Sequence, residues 1–351
     1  MTWDVALILG IDGMANGAVY LLAGLGLVLI FSVTRVVFVP FGDVAAFAAL
    51  SLAAFETGRR PATIGLVLTL AALAVVAEVV SLLRRGEAAR IPRAVLGWGV
   101  LPALPCLLAW AVAGRQLPHA VFIVTAILLV VPVTPLVARL ALQPIADAST
   151  LVLLIASLAL HFLLSGLGLL FFGPEGSRTA PLAEGSLALP GGFSVSGQVL
   201  LMIGAAIVLS GLFFLAFERT AIGKALRATA VNRVGARLVA IRPARTALLA
   251  YTFASLLAGL IGVLVAPVTT MYYDSGFLIG LKAFVAAIIG GLVSYPLTAV
   301  GALAVGIVES FGSFWSGALK DVIVFSLLIP VLMLRSALTR HPEEEAEEID
   351  Q

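Results

Sequence analysis

The sequence predicts an all-α protein, a polytopic bundle of transmembrane helices with about 10–11 membrane segments, some of them short or broken. Hydrophobic residues make up 61% of its 351 residues, and only 11% are charged. The mean hydropathy of +1.15 is far above that of a soluble domain. Apolar runs recur along the chain, and the run at 151–172 would span roughly 33 Å as a helix, about one hydrocarbon core.

Eleven apolar segments follow one another along the chain. Segments 42–56 and 279–293 are too short for a full crossing, and we expect half-helices or strongly broken helices there. We expect segment 5–34 to be a retained membrane segment rather than a signal peptide, because it is long, lacks a basic start and carries Asp4 and Asp12. The predicted limits are 5–34, 42–56, 62–83, 94–112, 119–138, 150–172, 197–217, 245–266, 279–293, 297–313 and 319–335.

Positive charge orients these segments, because cytoplasmic loops of membrane proteins are enriched in Lys and Arg. The loop 218–245 holds seven of the 21 basic residues, and 84–93 holds four Arg against Glu87. Four segments separate these loops, so both are expected in the cytoplasm, with the N-terminus outside and the C-terminus inside. The loop 173–196 then faces outward, and 56–61 departs from the rule with two Arg on the outer side.

The chain lacks the motifs of an enzyme or a metal site. It has three His and one Cys, with no HExxH, GxSxG or metal-ligand spacing, and Cys106 has no partner for an intrachain disulfide. The segment "ERTAIGKA" (218–225) contains Gly-Lys but lacks the first Gly and the final Ser or Thr of a Walker A motif. We therefore expect no cofactor on this chain, and ATP, if used, on another subunit.

Four interpretations apply to the basic loop 218–245. It could act only as a topology signal, or lie as a helix on the lipid surface. Nucleic-acid binding is disfavoured, because the loop is short and has no interleaved aromatic residues. The fourth interpretation is a docking element, because Val234, Leu238 and Ile241 recur as one apolar stripe of a short helix. Small residues at 228, 230, 235 and 236 would permit close approach, and Pro243 can begin the next span.

The chain resembles the permease subunit of the branched-chain amino acid (hydrophobic amino acid uptake) family of ABC importers. The matching segments are "GAVYLLAGLGLVLIFSVTRVV" (17–37), "LQPIADASTLVLLIASLALHFLLSGLGLLFFGP" (142–174), "IGKALRATAVNRVGARLVAIRPARTALLAYTFASLLAGLIGVL" (222–264) and "GFLIGLKAFVAAIIGGLVSYPLTAVGALAVGIVES" (276–310).

This resemblance implies a bacterial inner-membrane importer with two permeases, two ATP-binding subunits and an extracytoplasmic solute-binding protein. The second permease would be related but not identical. The resemblance also implies that 222–242 is the cytoplasmic element that couples to the ATPase. The predicted coupling residues are Arg227, Asn232, Arg233, Gly235, Ala236, Leu238 and Ile241.

The chain departs from the family pattern at several places. Asn, His and Glu are usual where Phe38, Phe41 and Asp43 stand, two acids are usual at 231–232, and Gly is usual at Ala240. The region 62–112 looks like an extra helical hairpin. We predict one permease domain over 1–340 and an acidic cytoplasmic tail over 341–351.

Six residues are predicted to line the substrate path. Charged groups inside a membrane are costly and indicate function by default. Five of the six also have an alternative: core packing for the aromatic residues, a helix–helix hydrogen bond for the histidine, and an interfacial or structural role for the lysine and the glutamate. The six are Phe38, Phe41, Asp43, His161, Lys282 and Glu309. Gly13 and Gly17 form a GxxxG pattern typical of close helix packing.

The predicted function is import of branched-chain or hydrophobic amino acids, or of related small organic acids or amides. An ATPase-independent secondary transporter or channel is the alternative. A membrane-embedded enzyme is disfavoured by the missing catalytic groups.

Overall fold

The computed structural model describes residues 3–189 and 193–338. Within these residues, eight helical stretches are long and apolar enough to cross a membrane. The predicted bundle is therefore confirmed, and the short segments also appear. The helices are α1 Trp3–Thr34, α2 Phe41–Glu56, α3 Thr63–Arg84, α4 Ile91–Val95, α5 Leu101–Val112, α6 His119–Val130, α7 Val133–Val137, α8 Thr150–Phe172, α9 Gly197–Arg219, α10 Ala221–Val231, α11 Arg233–Leu238, α12 Pro243–Val265, α13 Gly276–Ile289, α14 Tyr295–Trp315, α15 Lys320–Ser326 and α16 Leu328–Leu338.

Helix α2 is the centre of the bundle, with all its residues buried except Ala54 and Glu56. Its small residues allow neighbouring backbones to approach closely. A Cβ on Gly42 would lie 1.8 Å from the Gly276 carbonyl oxygen of α13, and one on Gly262 of α12 would lie 2.0 Å from the Ala45 oxygen. Glycine is therefore required at both crossings, as small residues are at many membrane helix interfaces.

The predicted close packing of Gly13 and Gly17 is confirmed. These glycines of α1 face α14, where a Cβ on Gly13 would lie 2.8 Å from the Ile307 Cα and one on Gly17 would lie 2.9 Å from the Leu303 Cα. Gly306 of α14 packs equally closely against Gly13 and Gly17 of α1. The GxxxG pattern thus joins the first helix to a late one.

Helices α2 and α13 both begin inside the bundle. After α1, the chain turns at Arg35, whose φ is +62°, and runs back inward, so that the Val39 amide donates to the Ser157 hydroxyl of α8 at 2.9 Å. Phe277, in the first turn of α13, stacks on His161, also at the middle of α8. Two short helices therefore start near mid-depth and run to opposite ends of the bundle.

Contacts between helix ends define two faces of the bundle. At one face the backbone amide of Ala180 donates to the Glu56 carboxylate, and the side-chain amide of Gln198 donates to the Leu264 carbonyl. We call this the hairpin face, because it carries the strands β1 Ser186–Leu189 and β2 Phe193–Ser196. These strands form an antiparallel hairpin that the sequence did not predict within the loop 173–196.

The opposite face carries both arginine-rich segments, and we call it the arginine face. There the hydroxyl of Thr246 in α12 donates to Thr229 of α10 at 3.1 Å. Leu248 of α12 lines the same apolar cavity as Trp98, and Trp98 lies just beyond the segment 84–93. The loops 84–93 and 218–245 therefore share one face, as the even number of segments between them requires.

Other predicted features have mixed outcomes. The region 62–112 folds as α3 followed by α4 and α5, which pack against each other as a hairpin. The last predicted segment, 319–335, is divided into α15 and α16. Segment 279–293 is helical only to Ile289, because Gly291 and Leu292 both adopt a positive φ. The predicted acidic tail 341–351 lies outside the described residues.

Candidate functional site

Two adjoining polar cavities lie near the hairpin face, between α1, α9, α14 and the start of α15. Their volumes are about 330 Å³ and 290 Å³. We call the two together the vestibule, because they share five lining residues and form one recess. The shared residues are Asn16, Met202, Val268, Glu309 and Lys320.

Helix α1 gives the vestibule a polar stripe. Asp12, Asn16 and Tyr20 recur every four residues, which places them on one helix face. None of these three residues is among the predicted path residues, although their four-residue spacing within an apolar helix was the available signal. Asn16 lines the cavity and makes no side-chain hydrogen bond within the described part of the chain.

Lys282 and Glu309, both predicted path residues, form a buried ion pair beside the vestibule. The Lys282 Nζ lies 2.5 Å from the Glu309 Oε1 and 2.8 Å from the Asp321 Oδ1 of α15. The Tyr20 hydroxyl donates to the other Glu309 oxygen. One ammonium therefore faces two carboxylates, a pairing that offsets part of the cost of removing these charges from water.

Asp43 and His161 form a separate buried cluster. The His161 Nδ1 lies 2.7 Å from the Asp43 Oδ2, and Phe277 stacks on the imidazole with its ring centre 4.4 Å away. The second Asp43 oxygen has no hydrogen-bond partner among the described residues. Since the carboxylate lies in the first turn of α2 and beside the start of α13, the dipoles of both helices favour its negative charge.

The two predicted phenylalanines pack in the core of the bundle. Phe38 meets Tyr251 edge to face, with ring centres 5.8 Å apart, and Phe41 fills the space that a side chain at Gly26 would need. Phe38, Phe41, Asp43 and His161 do not line the vestibule. The structure thus divides the six predicted residues into a core set of four and a vestibule pair.

The loop predicted to couple to an ATPase is held to its own chain by three of the predicted residues. The Asn232 side chain caps α11 by accepting the Val234 and Gly235 amides, each at 2.9 Å. Arg227 pairs with Glu218 at 2.5 Å, and Arg233 donates to the Val33 carbonyl at the end of α1. The two arginine contacts fix the loop relative to α9 and α1, and the Asn232 cap fixes the start of α11.

Exposed apolar side chains cluster on and beside α11 in this loop. Val231 is 86% exposed and Leu238 is 85% exposed, and Val234 and Val239 are also exposed. We call Val231, Val234, Leu238 and Val239 the coupling surface. Val231 and Val239 were not among the predicted coupling residues, and their exposure distinguishes them from the buried residues of the loop.

Two parts of the predicted docking helix are wrong. Ala236 is only 3% exposed, so its side chain is buried against its own chain. Ile241 is not on the helical stripe, because α11 ends at Leu238 and Ala240 adopts a φ of +62°. The Ile241 amide bonds the Ala236 carbonyl and the Ala240 amide bonds the Arg237 carbonyl, which is the Schellman pattern of helix termination.

Comparison with known proteins gives a consistent result. A family profile described as "Branched-chain amino acid transport system / permease component" matches residues 10–332. The high-affinity branched-chain amino acid transport system permease protein BraD of Pseudomonas aeruginosa is 30% identical over 220 residues, which cover 59% of this chain and 70% of the relative. The corresponding LivH of Escherichia coli is 29% identical over 216 residues, with the same coverage. No solved structure matches significantly.

Proposed function

The chain belongs to the family of permease components of branched-chain amino acid transport systems, and from this premise we propose that it imports apolar amino acids in an ATP-driven complex. A related second permease would complete the path, two ATP-binding subunits would bind and hydrolyse ATP, and an extracytoplasmic binding protein would deliver the solute. A transport component of this family is not an enzyme in the usual sense. The lining of the vestibule is the observation that carries the proposal for the solute.

The vestibule offers partners for each part of a zwitterionic apolar amino acid. Lys320 can pair with the solute carboxylate, while Asp12 and Glu309 can accept hydrogen bonds from the solute ammonium group. The wall formed by Val19, Met202, Val265 and Ile279 suits an aliphatic side chain. Asp12 has no cationic partner among the described residues, and a solute with only a carboxylate or an amide would leave it without one, so we favour amino acids over small organic acids or amides.

The charge distribution supports an orientation in the bacterial inner membrane. Both arginine-rich segments share the arginine face, which we assign to the cytoplasm because basic loops are retained there. The vestibule then lies toward the extracytoplasmic side, where a binding protein would release its solute. The N-terminus would be outside and the C-terminus inside.

The coupling surface would dock into a groove of the ATP-binding subunit. Its four exposed apolar side chains would be buried by that contact, at roughly 25 cal/mol per Å² of apolar area. Arg227 and Arg233 act indirectly, since they tie α10 and α11 to the membrane helices and so transmit motion, while Asn232 fixes the start of α11. In this proposal the coupling surface, and not Ala236, makes the docking contact.

Transport by the reconstituted complex tests the proposal. The chain is placed in liposomes with its cognate permease, ATP-binding subunits and binding protein, and uptake of radiolabelled leucine is measured with and without internal ATP. We expect uptake only with ATP. Uptake by this chain alone, driven by an ion gradient, would instead identify a secondary transporter or channel.

Substitutions on the coupling surface test the docking step. Leu238→Glu introduces an uncompensated charge into an apolar contact, and each 1.4 kcal/mol lost is a tenfold loss of association. We expect the ATP-binding subunit to be lost on purification. Arg237→Gln, at the exposed neighbouring position, is the matched control and should cost little. Equal co-purification of both variants would reduce the loop to a topology signal.

A further inference from the structure

A third polar cavity, of about 440 Å³, lies at the hairpin face between the end of α2, the start of α3 and the end of α8. We call it the arginine pocket, because Arg59, Arg60 and Arg178 line it. A single acid, Glu175, lines it with them. Its floor is apolar and includes Leu50, Ala54, Phe171 and Phe172.

The guanidinium groups of this pocket have few partners in the protein. Arg59 makes no side-chain hydrogen bond or ion pair within the described residues, and Arg60 lies over the Trp110 ring at 4.9 Å. Arg178 uses its Nε to donate to the Pro267 carbonyl at 2.8 Å. Three positive charges therefore converge on a cavity with one acid, and most of their donors remain available to an anion.

Helix termination does not explain these arginines. Arginine near a helix C-terminus can bond the last carbonyls. At the end of α2, however, the Ala53, Ala54 and Phe55 carbonyls already accept the backbone amides of residues 57–59. At the end of α8 the Leu169 carbonyl accepts the Gly173 amide. The side chains are therefore left for another partner.

Large apolar side chains beside the pocket are exposed. Leu170, on the last turns of α8, is 77% exposed, and Trp110 on α5 is 57% exposed. Exposed apolar residues on spanning helices contact acyl chains, and Trp is enriched where the acyl region meets the headgroups. The pocket thus combines an apolar floor with a cationic rim at the boundary of the bilayer.

We propose that the arginine pocket binds an anionic phospholipid of the leaflet at the hairpin face. The phosphate would accept hydrogen bonds from Arg59, Arg60 and Arg178, and an acyl chain would lie along Phe171 and Leu50. Arginine suits this role, because its planar donors match phosphate in pairs. The site explains why two arginines follow α2 on the side of the membrane where basic residues are depleted.

Native mass spectrometry of the purified full chain tests the site. Phosphatidylglycerol or phosphatidylcholine is titrated in, and the bound lipid is counted. We expect preferential binding of phosphatidylglycerol, weakened roughly fivefold by Arg59→Gln and further by Arg59→Gln with Arg60→Gln. Arg115→Gln is the matched control, since it removes an exposed charge at the same face outside the pocket.

Further arms separate the possible anions. If millimolar inorganic phosphate displaces bound phosphatidylglycerol, the headgroup phosphate is the group recognised and the proposal is supported; if phosphate binds and the lipid does not, the lipid assignment is overturned. Equal affinity for both lipids, or unchanged binding in the double variant, would also overturn it. A double variant that keeps its lipid but no longer holds the extracytoplasmic binding protein would show a protein-docking surface instead. Unchanged melting temperatures are required for each variant.

Discussion

The Asp43–His161 cluster and the Lys282–Glu309–Asp321 cluster differ in what surrounds them. Around Asp43, α2 and α13 meet backbone to backbone at Gly42 and Gly276, and Phe277 covers the imidazole. Around Glu309, the helices stand apart and leave the vestibule, which Glu309 and Lys282 line. One cluster is sealed within the core, and the other borders a space that a solute can enter.

This difference separates two uses of intramembrane charge. A buried carboxylate at the meeting point of two helix N-termini satisfies the dipoles and pins α2, α8 and α13 together. A carboxylate beside a polar cavity can exchange partners with a solute that carries an ammonium group. Charge within an apolar segment therefore identifies a site only when the packing around it leaves room.

The largest expected loss of stability comes from a substitution in the sealed region around Asp43. Gly42→Ala places a methyl group 1.8 Å from the Gly276 carbonyl oxygen, where backbone on both sides prevents relaxation. We expect destabilisation of about 3 kcal/mol or more, with loss of folded protein in fluorescence-detected size exclusion. Gly166→Ala on α8, where a Cβ meets nothing within 4 Å, is the control and should remain folded.

Removal of the cation from the Lys282–Glu309–Asp321 cluster should have the second-largest effect. Lys282→Met leaves Glu309 and Asp321 facing each other without their shared ammonium. Removing one partner from a buried ion pair costs roughly 3–5 kcal/mol, less here to the extent that the vestibule admits water. A lower melting temperature and loss of leucine uptake are expected. Lys224→Met, at an exposed position of α10, should change neither, and equal results for the two would contradict the ion-pair role.

A matched pair of isosteric changes compares the clusters directly. Glu309→Gln should lower leucine uptake at least tenfold, because the ammonium group of the solute loses a charged partner at the cavity. Asp43→Asn keeps one possible hydrogen bond to His161 and should cost about 1–2 kcal/mol of stability while the folded protein still transports. Uptake kinetics and melting temperatures are measured for both. Comparable uptake by the two variants would remove the distinction between the clusters.

Much of the bundle follows from the sequence, because apolar length and Gly or Pro interruptions act locally. The short segments 42–56 and 279–293 were recognised by their length alone. Their meeting inside the bundle could not be predicted, since it depends on contacts between residues as distant along the chain as Gly42 and Gly276. The paired strands at 186–189 and 193–196 were not predicted, because they are short and lie in a Gly- and Pro-rich loop.

The candidate site was less predictable for similar reasons. Lys282 and Glu309 can be predicted because a charge within an apolar segment indicates function. Asn16 and Tyr20 carry no formal charge, so the same signal does not identify them. Ala236 was placed on the docking surface because small residues permit close approach, but burial shows that the approach is within this chain. Ala240 adopts a positive φ, a conformation that favours Gly, which is the residue that the family resemblance implies at this position.

The smallest expected effect concerns Asn16, the uncharged member of the vestibule stripe. Asn16→Ala removes an amide that makes no hydrogen bond within the described residues, so stability should change by no more than about 0.5 kcal/mol. A solute that bonds this amide would lose about 0.5–1.5 kcal/mol, which raises the KM for leucine uptake roughly two- to tenfold. Ser313→Ala is the control, because Ser313 also lines the vestibule but its hydroxyl already donates to the Ser310 carbonyl. A KM that rises for Asn16→Ala alone would place the solute against α1. If the two variants have the same KM, the solute passes without touching the α1 stripe, and the vestibule would then be only an entrance.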